Sequence, residues 1–159
     1  MAPMKLKFSA FGLVMLSVAN WAAAQTPAAP PDQPQPMNRR MFIDPSATTV
    51  SFGKASLIVN PLTRKGKLYV GDYQLNVVPY FFMSEKGALE LEASDDTMHK
   101  LLAGIAAEFT GKATNNKNGK PKIVTGKAIP SSNDRGSVTF SVETDNGPMI
   151  FNTSYHFAE

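Results

Sequence analysis

The sequence predicts a mainly β protein, a small antiparallel barrel or sandwich of about seven strands with one short α-helix near residues 95–104. Three observations carry that prediction. The C-terminal third holds two stretches of alternating apolar and polar residues around Asn146-Gly147. A second pair of such stretches flanks Asn118-Gly119. Only one segment, after Ser94, repeats its apolar residues with a helical period.

Residues 1–24 have the three zones of a secretory signal peptide. Lys5 and Lys7 precede an apolar run from Phe8 to Ala19, and Ala22-Ala23-Ala24 offers small residues for cleavage after Ala24. A spanning helix needs about 20 apolar residues, more than this run provides. The expected address is therefore periplasmic or secreted, with no transmembrane span after cleavage. Residues 25–46 carry six of the 12 prolines and read as a Pro-rich disordered spacer. A single β-rich domain is expected over residues 47–159.

Within that domain, Val50–Val59 reads as one strand with an irregularity at Gly53 and Lys54. Lys67–Val70 and Tyr73–Val78 read as strands joined by Gly71-Asp72. Ala88–Glu92 places Leu89 and Leu91 inward and Glu90 and Glu92 outward. Ser94 is a good helix N-cap, Asp95 and Asp96 suit the positive end of the helix dipole, and Gly104 is a stop. Met98, Leu101, Leu102 and Ile105 form one apolar stripe, expected to lie on the Gly/Ala face of the next hairpin or to plug an open barrel end.

That hairpin comprises Phe109–Thr114 and Lys122–Ile129. A two-residue turn at Asn118-Gly119 pairs Ala113 with Val124, Gly111 with Gly126 and Phe109 with Ala128. The last hairpin comprises Ser137–Glu143 and Met149–Phe157. A two-residue turn at Asn146-Gly147 pairs Val142 with Phe151, Phe140 with Thr153 and Val138 with Tyr155.

Charge first suggests a nucleic-acid partner and then withdraws the suggestion. The full chain has 16 basic and 13 acidic residues, a net charge of +3 and a pI near 9.2. Loss of Lys5 and Lys7 with the signal peptide leaves 14 basic against 13 acidic residues. The remaining basic character is local: Lys112, Lys117, Lys120, Lys122 and Lys127 fall on one hairpin with no acid between Glu108 and Asp134. Glu85, Glu90, Glu92, Asp95 and Asp96 form an opposing acidic cluster. The lysines are candidates for an anionic partner such as a lipid headgroup or a cell-wall polymer. Edge-strand lysines that block sheet-to-sheet pairing are the plainer explanation. Aromatic residues interleaved for base stacking are missing there, which argues against nucleic acid.

The run Val77-Val78-Pro79-Tyr80-Phe81-Phe82-Met83 is the second candidate. Tyr80, Phe81, Phe82 and Met83 are expected in the core, or else lining a cavity for a small apolar ligand. No cysteine is present, which excludes disulfides, thiolate metal sites and a lipid-modified N-terminal cysteine. His99 and His156 are the only histidines, and neither sits in a metal or catalytic motif. Nothing in the sequence implies a cofactor, a metal or a catalytic residue. The functional expectation is an exported, non-enzymatic binding or envelope-associated module. The alternative is a barrel carrier of an apolar ligand, with a hydrolase third.

Overall fold

The computed structural model describes residues 39–51 and 53–158. The expected signal peptide and most of the expected spacer lie outside them. Among the described residues there are ten strands and one α-helix. The strands are β1 (Arg40–Ile43), β2 (Ser46–Val50), β3 (Gly53–Val59), β4 (Thr63–Lys65) and β5 (Leu68–Val78), followed by β6 (Glu85–Glu92), β7 (Ala107–Asn115), β8 (Pro121–Pro130), β9 (Arg135–Val142) and β10 (Met149–Ala158). The helix α1 (Asp95–Leu102) separates β6 from β7, and a 3-10 turn (Phe81–Met83) separates β5 from β6.

All ten strands form one antiparallel sheet in the order β1-β10-β9-β8-β7-β6-β5-β3-β2, with β4 beside β5. The sheet curls into a half-barrel. Its two ends are tied by the chain itself, because β1 pairs with β10 and β2 pairs with β3 across a gap of only Asp44-Pro45. Proline has no N–H to continue the ladder, so the strand changes partners there. Asp44 holds the corner. Its N–H donates to the Ser154 carbonyl at 3.0 Å, and its own carbonyl accepts from Thr153 Oγ1 at 2.7 Å.

The concave face is filled by the inward members of each alternating strand. Tyr69, Phe140, Phe151, Leu62, Val77 and Val124 are the largest fully buried side chains. Phe140 meets the half-buried Phe109 edge to face at 5.4 Å. Gly126 makes room for that ring, since a Cβ there would collide with Phe109 Cζ and sit 2.6 Å from the Thr139 carbonyl. Helix α1 packs on β7 and β8 as the stripe predicts, burying Met98 and Leu101. Ser94 is its N-cap, accepting from the Thr97 N–H at 3.2 Å. Ile105 lies past the helix end and is exposed, so the stripe is shorter than expected.

Several expectations are corrected. Folded strand begins at Arg40, upstream of the expected boundary at residue 47. Val50–Val59 is not one strand, because Val50 pairs with Gly53 at the end of a hairpin. Leu68–Val78 is continuous through Gly71-Asp72.

Both Asn-Gly hairpins are displaced by two residues. Val142 pairs with Met149, Phe140 with Phe151 and Val138 with Thr153. Ala113 pairs with Lys122, Gly111 with Val124 and Phe109 with Gly126. The cause is turn chemistry. A type I′ turn needs positive φ at both central residues, yet only the glycines have it, Gly119 at +67° and Gly147 at +98°. Side chains build longer loops instead. Asn115 Oδ1 accepts from the Lys117 N–H at 2.7 Å, and Thr144 Oγ1 accepts from the Asn146 N–H at 3.3 Å. A shift of two preserves which face each side chain occupies, so the core assignment survives.

Candidate functional site

Strand direction decides which loops meet. The β5–β6, β7–β8 and β9–β10 connections all leave the sheet at one end, and the β2–β3 turn joins them there. The Asn116 N–H donates to the Lys86 carbonyl at 2.9 Å, which fastens the lysine loop to the start of β6 immediately after the aromatic run. The two candidate features, some 30 residues apart in sequence, therefore share one end of the half-barrel.

Beyond Val77, which is in the core, the aromatic run turns outward, against the expectation that Tyr80, Phe81 and Phe82 are buried. Val78 is 49% exposed, Tyr80 41%, Phe81 70% and Phe82 81%, while Met83 packs partly against the core. Pro79 cannot donate to a ladder, so the chain leaves the sheet and winds one 3-10 turn. The Met83 N–H donates to the Tyr80 carbonyl at 2.9 Å, and the Ser84 N–H donates to the Phe81 carbonyl at 3.0 Å. Ser84 Oγ accepts from the Val77 N–H at 2.9 Å and pins the turn to β5. Tyr80 and Phe82 meet edge to face at 5.7 Å. Gly53 lets β3 pass beneath, because a Cβ there would collide with the Val78 carbonyl. The rings thus project from an ordered backbone.

The five lysines separate into two groups. Lys112 Nζ lies 3.0 Å from Glu90 Oε2, and Lys122 Nζ lies 2.7 Å from Glu85 Oε1. Lys122 has the parity of Val124 and Gly126 and so points inward. Glu85 also accepts from Tyr73 Oη at 3.0 Å and from Asn115 Nδ2 at 2.8 Å, making a closed polar cluster at the mouth of the half-barrel. Burial and the neighbouring Glu85 carboxylate push the Tyr73 phenol well above its usual pKa. Lys127 lies opposite Glu108 in the β7–β8 register. Lys117 and Lys120 remain exposed on the loop, and none of the ion pairs of the described residues includes them.

The same end carries two exposed lysines the sequence reading passed over, Lys54 at the start of β3 and Lys86 at the start of β6. They lie far from the lysine hairpin along the chain, so no local spacing marks them. Only the β-sheet register brings them together. The acidic cluster is likewise engaged: Asp95 pairs with Arg64 at 2.6 Å and Asp96 with Lys100 at 2.7 Å. Glu92 accepts from Thr110 Oγ1 at 3.0 Å.

Elsewhere, two interior spaces of about 20 Å³ each lie among core side chains such as Leu57, Leu89 and Phe151, and Leu91, Leu101 and Val138. Neither is lined by Tyr80, Phe81, Phe82 or Met83. A surface cleft of about 560 Å³ runs past Glu108, Phe109 and Lys127, and another of about 670 Å³ past Asp44, Arg135 and His156. His156 stacks on Phe42 at 4.9 Å with the rings nearly parallel. His99 is exposed on α1. Among the described residues no three His, Asp or Glu side chains gather as a metal site, and no helix is long and apolar enough to cross a membrane. In comparisons with family models, curated proteins and solved structures, nothing matches this chain.

Proposed function

We propose that the chain is an exported, non-enzymatic β-domain that acts as an envelope-associated binding module for an anionic partner. Its binding face is the loop end of the half-barrel. The export half of the reading rests on the signal-peptide pattern of residues 1–24. The binding half rests on one observation: exposed Lys54, Lys86, Lys117 and Lys120 share an end with the projecting Val78–Phe82 segment. The two interior spaces of about 20 Å³ are far smaller than the roughly 300–1,000 Å³ of a small-molecule pocket, and the clefts that reach that size, about 560 and 670 Å³, are open at the surface. That favours surface binding over carriage of an apolar ligand.

The test is retention of the exported protein on an immobilised anionic polymer at low and moderate salt. Lys117→Glu combined with Lys120→Glu should shift elution to markedly lower salt, because interactions of exposed charges are screened beyond about 10 Å at 0.1 M. Unchanged elution would remove the loop lysines from the binding face. Lys112 and Lys122 are unsuitable for this comparison, since each already neutralises a glutamate.

A further inference from the structure

We infer that the anionic partner is the surface of a lipid bilayer, with Phe81 and Phe82 seated in its interfacial layer and the surrounding lysines on its headgroups. The inference rests on the reading that this end is the binding face, and it names the partner. Lysines alone suit any polyanion. Two phenylalanines held out in water gain nothing from a hydrated polymer, whereas an interface offers their rings an apolar phase. The arrangement has the two signals that peripheral membrane attachment requires, apolar side chains to bury and basic side chains beside them.

Geometry supports this occupant in three ways. First, the rings stand on a turn held by bonds from the Phe81, Met83 and Ser84 N–H groups and by Ser84 Oγ, so presenting them to an interface requires no unfolding. Second, the basic side chains surround the turn on neighbouring strands. Lys54 is the register partner of Val78, and Lys86 follows four residues after Phe82. Lys117 and Lys120 lie on the loop fastened to Lys86. Third, lysines outnumber unpaired acids at this end: Glu85 is engaged by Tyr73, Asn115 and Lys122, which leaves exposed Glu143 and Asp145 of the β9–β10 loop against Lys54, Lys86, Lys117 and Lys120. The contact is peripheral, since two adjacent surface residues reach the interfacial layer and no further.

The absence of cysteine makes the test specific to position. Phe82→Cys takes an environment-sensitive fluorophore at one site, and Lys67→Cys takes it next to the opposite end of β5. The 11 residues of β5 separate the two by about 33 Å at roughly 3.3 Å per residue. The exported protein is mixed with phosphatidylcholine vesicles, with vesicles containing phosphatidylglycerol, and with a soluble anionic polymer.

The expected result is a blue shift at position 82 on the phosphatidylglycerol vesicles only, with no shift at position 67. Phe81→Ser/Phe82→Ser should weaken vesicle co-sedimentation by about tenfold or more while leaving polymer retention intact. Circular dichroism should be unchanged, because no residue of the 3-10 turn is buried. Polymer retention without a shift at position 82 overturns the bilayer assignment and leaves the lysine reading standing. Loss of both interactions overturns both. A lipid-free dimer that Phe81→Ser/Phe82→Ser dissolves would assign the face to a second copy of the chain, and would also overturn the inference.

Discussion

Replacing Lys122 with methionine should destabilise the domain by about 2 kcal/mol, whereas the same change at Lys120 should be nearly neutral. The figure comes from where the pair sits between two limits. Breaking a fully buried ion pair costs about 3–5 kcal/mol, because a charge is left uncompensated. Exposed pairs contribute about 0–1 kcal/mol. The Glu85 side chain is only 8% exposed, but that of Lys122 is 27% exposed, so water reaches one partner and not the other. Without Lys122, Glu85 keeps Tyr73 Oη and Asn115 Nδ2 as donors, which holds the loss below the buried limit. Methionine retains most of the apolar stem, leaving the charge as the main difference. Urea denaturation of both variants provides the comparison, and a double-mutant cycle with Glu85→Gln isolates the pair. A Lys122→Met midpoint no lower than that of Lys120→Met would show that the Glu85 cluster does not form. The division of the five lysines into structural and free groups would then fail.

Alkaline unfolding should be steep. Tyr69, Tyr73 and Tyr155 are buried, and desolvation raises the pKa of all three above the ordinary value of 10.0. The folded state therefore holds protons that the unfolded state releases. Stability is intact below pH 10 and falls as pH rises beyond it, with a limiting slope of about 4 kcal/mol per pH unit for three groups. Absorbance of phenolate followed alongside circular dichroism checks this; three tyrosines titrating freely before unfolding would contradict it. Gly126→Ala should cost about 1–3 kcal/mol, since its methyl group would strike Phe109 and the Thr139 carbonyl. Thermal melts measure the loss, and a melt like that of the parent would mean Phe109 moves aside freely.

The face assignment was legible in the sequence and the register was not. Alternation in β9 and β10 fixes that Val138, Phe140, Val142 and Phe151 share the inside, and all four are buried. Asn-Gly then suggested the shortest loop. The outcome depended on Asn115 and Thr144, whose side chains cap longer turns through bonds that dipeptide statistics do not encode. The aromatic run failed for a different reason. Seven apolar residues in a row carry no period, so neither alternation nor a helical repeat says which side faces water. Pro79 was the usable signal, because it ends the ladder of β5 just where the exposed rings begin. The inward direction of Lys122 was also readable, since it shares parity with Val124, Gly126 and Ala128.

In sequence, the lysine hairpin and the acidic segment look like two poles of a dipole. In the sheet they are neighbours. Strand β6 lies directly against β7, so Glu90 meets Lys112 across the ladder, and Glu85 at the mouth meets Lys122 on β8. Cross-strand pairing of opposite charges is how an antiparallel sheet uses such a distribution. Most of the apparent dipole is consumed within the fold. The basic charge that survives has no acid across the ladder: Lys117 and Lys120 lie on a loop, Lys54 is opposite Thr49 and Val78, and Lys86 is opposite Gln74. Each lies at the end where the chain also exposes Phe81 and Phe82. Folding thus turns a basic hairpin into a mixed aromatic and basic rim. If the partner is a bilayer surface, as we infer, such a rim distinguishes among polyanions by whether they offer an apolar layer, and the aromatic rings set specificity where charge alone would not.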